Sequence, residues 1–260
     1  MKQKPLILLG AVTAALGVLI AVAIARTPAS SILPAESEKK TVLKLTPLAA
    51  PGGTTVKALL QPDHALWSKA PQIPLRLSRT PPLYAGGHNQ DDGHRPSATV
   101  RLVRLADGDL VVRLAWTDPT EDISRRSRRI ADVGAPRIYS KHPHSVADFA
   151  DAAAVMIPRK RGPHASYPSL MMGHKGAPVD LYFWRAGLGF QKLAAAGRGT
   201  TTHKRRLRLS GAARRTSEGW VVVLPVGKVP AKTPVSFAIW DGKRRHRDGL
   251  KYFTVWYEAW

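Results

Sequence analysis

The residues able to do chemistry are few in kind. Nine histidines are present, with His142 and His144 two positions apart and His88 and His94 six apart. Neither spacing is the i, i+4 that sets two imidazoles on one helical face, and no cysteine or matching carboxylate accompanies them, so a functional metal site there is not indicated. His64, His164, His174, His203 and His246 fall in turn-rich stretches and read as solvated. The absence of cysteine excludes disulfides, thiolate metal sites, iron–sulfur ligation and covalent attachment of a c-type haem. No Gly-x-Ser-x-Gly elbow, Walker loop or dinucleotide glycine fingerprint occurs, so no motif supports catalysis. What remains is an unusual pair, Met171-Met172, directly before Gly173 and ahead of an apolar strand, in a chain with only four methionines. On spacing alone a loop methionine fills a gap in a core. By the same reasoning Lys251 is a solvent-facing lysine at a strand edge.

Charge says more about partners than about catalysis. Lys and Arg number 40 against 18 Asp and Glu, a formal charge of +22, so an acidic or polyanionic partner is implied. The basic runs are Arg125-Arg126 with Arg128-Arg129, Arg159-Lys160-Arg161, Lys204-Arg205-Arg206, and Lys243-Arg244-Arg245 with Arg247. Aromatic residues fall inside strands rather than among these runs, which argues against nucleic acid and for an acidic protein face or anionic lipid. Lys2 and Lys4 precede an apolar run from Pro5 to Ala25 that is long enough to span a bilayer. Its end, Ala23-Ile24-Ala25, also suits signal peptidase, so residues 1–26 read as a signal anchor or signal peptide, with length favouring the anchor. The body is then extracytoplasmic, on the periplasmic side.

The elements that must position these groups are strands. Residues 27–55, rich in Pro, Ala, Ser, Gly and Lys, read as a flexible linker, and the folded body is expected over 56–260. Two-residue alternation marks Gln72–Leu77, Thr99–Leu105, Asp109–Trp116, Ala152–Ile157, Val179–Trp184, Arg206–Ser210, Gly219–Leu224, Val235–Trp240 and Tyr252–Trp256. Glu121–Val146 and Ala186–Arg205 interrupt the rhythm and read as basic surface loops. Strands without a long amphipathic helix predict an all-β domain, a two-sheet antiparallel β-sandwich behind an N-terminal hydrophobic helix.

Several stretches agree in order with one known family. These are Trp67-x-x-Ala70, then Val111-Val112-Arg113-Leu114-Ala115-Trp116-x-Asp118, then Asp151-Ala152-Ala153-Ala154-Val155. Met172-Gly173 follows, ahead of Pro178-Val179 and the aromatic strand closing on Trp184-Arg185-Ala186. The last are Phe237-Ala238-Ile239-Trp240-Asp241-Gly242 and Arg247-x-Gly249-x-Lys251. Over about Val56 to Trp260 the chain resembles the haem-binding gamma subunits of the type II dimethyl-sulfoxide-reductase family, those of ethylbenzene dehydrogenase, dimethylsulfide dehydrogenase, and selenate and chlorate reductases. The resemblance implies a sandwich carrying one non-covalent haem b with methionine and lysine as axial ligands to the iron. Met172 matches the methionine and Lys251 the lysine, with Met171 and Lys243 as close competitors. The basic stretches and the doubled methionine depart from the family pattern.

A chain of this kind is not the catalytic subunit. The resemblance implies an electron-transfer subunit, relaying electrons between a molybdenum-containing catalytic subunit with its iron–sulfur subunit and an acidic cytochrome c or a membrane carrier. It would be held at the membrane by its N-terminal segment, with no role for nucleic acid. The competing reading is a haem-free β-sandwich that binds carbohydrate or another polyanion on a platform of tryptophans.

Overall fold

A computed structural model describes residues 43–80, 92–123, 149–163, 165, 167–203, 209–247 and 249–260. The expected N-terminal helix at 1–26 lies outside them, and among the described residues no helix is long and apolar enough to cross a membrane.

The described chain begins with β1 (Leu43–Leu45) and β2 (Leu48–Ala49), then two short helices, α1 (Val56–Leu59) and α2 (Ala65–Lys69). There follow β3 (Ile73–Pro74), β4 (Ser78–Arg79), β5 (Ala98–Arg104), β6 (Asp109–Thr117), β7 (Ala152–Pro158), β8 (Val179–Arg185) and β9 (Gly189–Ala195). The rest are β10 (Thr202–His203), β11 (Ala212–Arg215), β12 (Gly219–Lys228), β13 (Thr233–Trp240), β14 (Tyr252–Phe253) and β15 (Tyr257–Ala259).

These strands build two sheets, as the alternation predicts. One has nine strands, ordered β1-β15-β13-β7-β8-β9-β10 with β14 and β4 attached beside β13; the other has six, ordered β11-β12-β6-β5-β2 with β3 beside β5. Their facing sides share one core. Leu110, Val112, Leu114 and Trp116 of β6 with Val222 and Leu224 of β12 meet Ala153, Val155 and Ile157 of β7, Tyr182 and Trp184 of β8, and Phe237 and Ile239 of β13. Each set is every second residue of its strand, so the period of two carries one face inward.

Both outer faces are also partly covered. On the six-stranded sheet, α1 and α2 lay Leu59, Leu66, Trp67 and Ala70 over Val103, Leu105, Val111 and Val223. Trp67 Nε1 fastens this cover by donating to the Leu59 carbonyl at 3.1 Å.

The structure differs from the sequence reading at identifiable places. Residues 43–55, expected in the linker, hold β1 and β2, and Leu45 is fully buried. The sheets are mixed, because β1 runs parallel to β15 and β2 parallel to β5. A segment that joins a sheet edge without a hairpin is free to take either direction. The expected loop Ala186–Arg205 contains β9 and β10. Gly187 and Gly189, at φ 81° and 82°, turn the chain so that β9 pairs back along β8. Tyr252–Trp256 is not one strand but ends at Phe253, where Thr254 takes the Phe237 amide on its hydroxyl at 3.0 Å. Of the expected strand Arg206–Ser210, residues 206–208 lie outside the described set, and the strand seen is β11. Most of Glu121–Val146 lies outside it too.

Candidate functional site

The outer face of the nine-stranded sheet is more apolar than an exposed sheet face should be. All seven residues of β7 are buried, although only alternate ones can point into the inter-sheet core. The others, Ala152, Ala154 and Met156, join Val179, Leu181 and Phe183 of β8, Leu193 and Ala195 of β9, and Trp240 of β13 in a second cluster. Ala154 lies in register between Ala238 and Phe183, so small side chains form a floor. The rings of Phe183 and Trp240 meet edge to face at 5.5 Å. Gln191, opposite Phe183 and on the same face, is buried, and its Oε1 accepts no hydrogen bond among the described residues.

The loop before β8 brings Met172 onto this patch together with Leu170, while Trp256 covers it from the C-terminal side. Met172 has φ 76°, a left-handed conformation that costs a non-glycine residue free energy and that marks positions held by their surroundings. Two hydrogen bonds hold it: Gly197 N donates to the Met172 carbonyl at 2.9 Å, and Gly173 N to the Ser169 carbonyl at 2.8 Å. Gly173 is also left-handed, and a Cβ there would stand 2.7 Å from the Ala177 carbonyl oxygen. The glycine after the methionine is therefore required by the turn. Met171 is half-buried and is not among the side chains packed on the patch.

Lys251 borders the same patch through Trp240. It is 6% exposed, its Nζ lies 5.7 Å from the centre of the Trp240 ring, and its backbone is clamped by Thr80. Thr80 N and Oγ1 donate to the Lys251 carbonyl at 2.9 and 3.0 Å. The local sequence suggested a solvated lysine, and tertiary packing buries it. Lys243, its competitor, is exposed and lines a different cleft. The structure thus brings Met172 and Lys251 to one apolar patch and leaves Met171 and Lys243 off it.

That second cleft, about 400 Å³, opens at one end of the sandwich between Arg79, Asp92, His94, Thr120, Asp241, Arg244 and Tyr252. Behind it sits His246, which the sequence places in a solvated loop. It is instead 1% exposed, with its ring 4.6 Å from that of Tyr252. Burial first, then the positive charge of Arg79 and Arg244, pushes its pKa down to about 3, so the ring is neutral. Beside the cleft lie the buried carboxylates Asp118, Asp151 and Asp241, which the sequence reading did not single out. Burial pushes Asp151 up to about 7, against the hydrogen bonds it accepts from Gly242 and Asp122, and raises Asp241 as well.

Other sequence candidates fare less well. His88, His142 and His144 lie outside the described residues, as do 125–129 and 204–206 of the basic runs. Arg159 and Arg161 both face Asp180, at 3.5 and 3.7 Å, so that run is partly neutralised within the fold. Five of the seven tryptophans, Trp67, Trp116, Trp184, Trp220 and Trp240, are buried, so they present no platform to a carbohydrate.

Comparison with known proteins finds relatives of one kind. The ethylbenzene dehydrogenase family profile matches residues 64–220. The chain is 28% identical to the dimethylsulfide dehydrogenase subunit gamma of Rhodovulum sulfidophilum, over 79% of this chain and 76% of that one. It is 33% identical to the chlorate reductase subunit gamma of Ideonella dechloratans, over 76% of this chain and 77% of that one. It is 26% identical to a Haloferax mediterranei protein that carries the name of a respiratory nitrate reductase heme subunit, over 76% of this chain and 66% of that one.

Proposed function

Because the chain belongs to the ethylbenzene dehydrogenase family, we propose that it is the electron-transfer subunit of an oxidoreductase complex, holding one b-type haem between Met172 and Lys251. The observation that carries this reading is the convergence of those two side chains, from separate loops, on one buried apolar patch outside the inter-sheet core. The patch suits a flat, mostly apolar group. Its floor is alanine, its aromatic rings are Phe183, Trp240 and Trp256, and Val179, Leu181 and Leu193 add aliphatic lining. When bound, haem would supply a one-electron couple, and with Met172 and Lys251 both holding it that couple would serve electron transfer rather than oxygen chemistry.

The residues divide the work by chemistry. Met172 offers a thioether, a soft donor that favours ferrous iron. Lys251 offers an amine whose lone pair exists only in the neutral form, and its side chain is buried beside Trp240. Thr80 fixes the Lys251 backbone, and Gly173 and Gly197 fix that of Met172, so neither donor depends on a freely moving segment.

The gamma and heme subunits among its relatives support partners of the same class, a molybdenum-containing catalytic subunit and an iron–sulfur subunit. An acidic cytochrome c or a membrane carrier completes the relay, met by a surface with a net charge of +22. The body works on the periplasmic side, attached to the membrane by residues 5–25. Purification from native membranes tests the assembly: an iron–sulfur and a molybdenum protein should co-purify, with haem in equimolar amount to this chain. Recovery as a lone, haem-free protein would contradict it. Protease added to intact spheroplasts should digest the body, and protection until lysis would place it in the cytoplasm.

A further inference from the structure

At one end of the sandwich three strands each deliver an aspartate to the inward side. Along β6 the inward residues are Leu110, Val112, Leu114 and Trp116, and Asp118 is the next in step. On β13 they are Val235, Phe237 and Ile239, followed by Asp241, and on β7 the inward series Ala153, Val155, Ile157 is preceded by Asp151. Strand alternation therefore carries all three carboxylates into one layer just past the packed rings of Trp116, Trp184 and Trp220. They are 2%, 0% and 8% exposed for Asp118, Asp151 and Asp241, and one oxygen of each lies within 4.8 Å of the others.

The donors around them do not use up this charge. Asp151 accepts from Gly242 N at 2.9 Å, Asp122 N at 2.8 Å and Trp220 Nε1 at 2.9 Å. Asp241 accepts from Arg244 N at 3.0 Å and faces Arg244 Nε at 3.2 Å, a guanidinium shared with Asp92. Asp118 Oδ1 accepts from Thr120 N at 3.0 Å and from its hydroxyl at 3.2 Å. Asp118 Oδ2 is buried and accepts no hydrogen bond among the described residues. Arg215 turns to the Asp118 backbone carbonyl, 2.7 Å away, rather than to the carboxylate. A buried anion in that position calls for a positive partner. The cleft lined by Pro119, Thr120 and Asp241 gives such a partner a way in from solvent.

We propose that Asp118, Asp151 and Asp241 bind a calcium ion that ties the six-stranded sheet to the nine-stranded one. An all-oxygen, anionic donor set selects hard divalent cations over zinc, copper or iron. Calcium takes six to eight oxygens in a flexible geometry, which waters from the cleft can complete around three carboxylates, whereas magnesium demands a strict octahedron and gives up its own waters reluctantly. Asp118 closes β6 while Asp151 and Asp241 flank β7 and β13, so one ion holds the ends of three strands from both sheets. The site is separate from the apolar patch on the outer face, and the inference does not rest on haem.

The test is equilibrium dialysis of the full chain, stripped with chelator, against calcium. One calcium should bind per chain, with a dissociation constant in or below the range of extracellular calcium modules, about 0.1–1 mM. The melting temperature should rise with calcium. Asp118→Asn should weaken binding at least about tenfold and abolish that rise. In chelator the same variant should melt no lower than the parent, since it removes a carboxylate from a crowded buried cluster and leaves an oxygen to accept from Thr120. Should Asp118→Asn not fold, Asp241→Asn is judged by the same criteria. No stoichiometric calcium on the parent at about 10 mM, or undiminished binding by the folded variant, overturns the proposal. The visible spectrum, recorded in the same samples, should not respond to calcium, which keeps a failure here distinct from a failure of the haem reading.

Discussion

Lys251 Nζ lies 5.7 Å from the centre of the Trp240 ring, and Trp240 belongs to the patch on which Met172 packs. A buried lysine and a backbone-strained methionine therefore border the same apolar surface from opposite sides of the sequence. In the proposed function these two side chains are the donors to the haem.

The first expectation concerns the methionine. Met172→His should keep haem but lower its midpoint potential, because a nitrogen donor stabilises ferric iron relative to a thioether. Met171→His should leave the potential nearly unchanged, since that side chain is off the patch. Redox titration of the two variants beside the parent checks this. Equal shifts in both would remove Met172 from the iron.

The turn that presents Met172 should be intolerant of a side chain at Gly173. There φ is 75° and a Cβ would press on the Ala177 carbonyl. Gly173→Ala should cost about 2–4 kcal/mol, more than backbone strain alone. Gly108→Ala is the control, because Gly108 has φ 88° but open space around its Cβ position. It should cost about 1 kcal/mol. Urea unfolding of both separates the clash from the dihedral, and equal losses would refute the role of the close approach.

Buried His246 should make the protein acid-sensitive. Its folded pKa, about 3, is below the unfolded value of 6.5, so the unfolded chain binds the extra proton first. Stability is fully present above about pH 6.5 and falls as pH drops towards about 3, by at most about 1.4 kcal/mol per unit. Arg79, Arg244 and His94 disfavour the imidazolium and Asp92 favours it, while Tyr252 packs on its ring. Asp151, raised to about 7, has the opposite slope, its contribution being lost as pH rises from 3.8. The measurement is therefore the difference between the parent and His246→Gln in chelator. That difference should narrow as pH falls below 6.5, and a constant difference would mean the ring titrates normally.

Docking to an acidic partner should weaken with salt. With a charge of +22 and screening near 8 Å at about 0.15 M salt, the association rate should drop several-fold between low salt and about 0.5 M. A rate indifferent to ionic strength would assign the arginine runs to something else.

How much of this could be read from the sequence depended on whether the deciding contact was local. Asp109–Trp116 and Val235–Trp240 alternate or run apolar over a full strand length, and both were legible. β9 was not, because Gly189-Phe190-Gln191-Lys192 begins at a glycine turn amid basic residues. β1 and β2 are too short to show a period. His246 and Lys251 both sit among arginines, a context that reads as solvent, and only packing against Tyr252 and Trp240 shows otherwise. Asp118, Asp151 and Asp241 stand in three separate family-like stretches, and their meeting is a product of sheet register that no one stretch shows. Met172 and Lys251 as a pair came from resemblance to a family, since nothing in their spacing links them.

The most direct test of the account is the visible spectrum of the purified full chain, oxidised and reduced, beside Lys251→Ala and Lys243→Ala. The account predicts a sharp low-spin α-band in the reduced parent, unchanged in Lys243→Ala, and lost or turned high-spin in Lys251→Ala because a strong axial donor is gone. A parent with no haem spectrum after haem-replete expression, or a Lys251→Ala spectrum identical to the parent's, would contradict it.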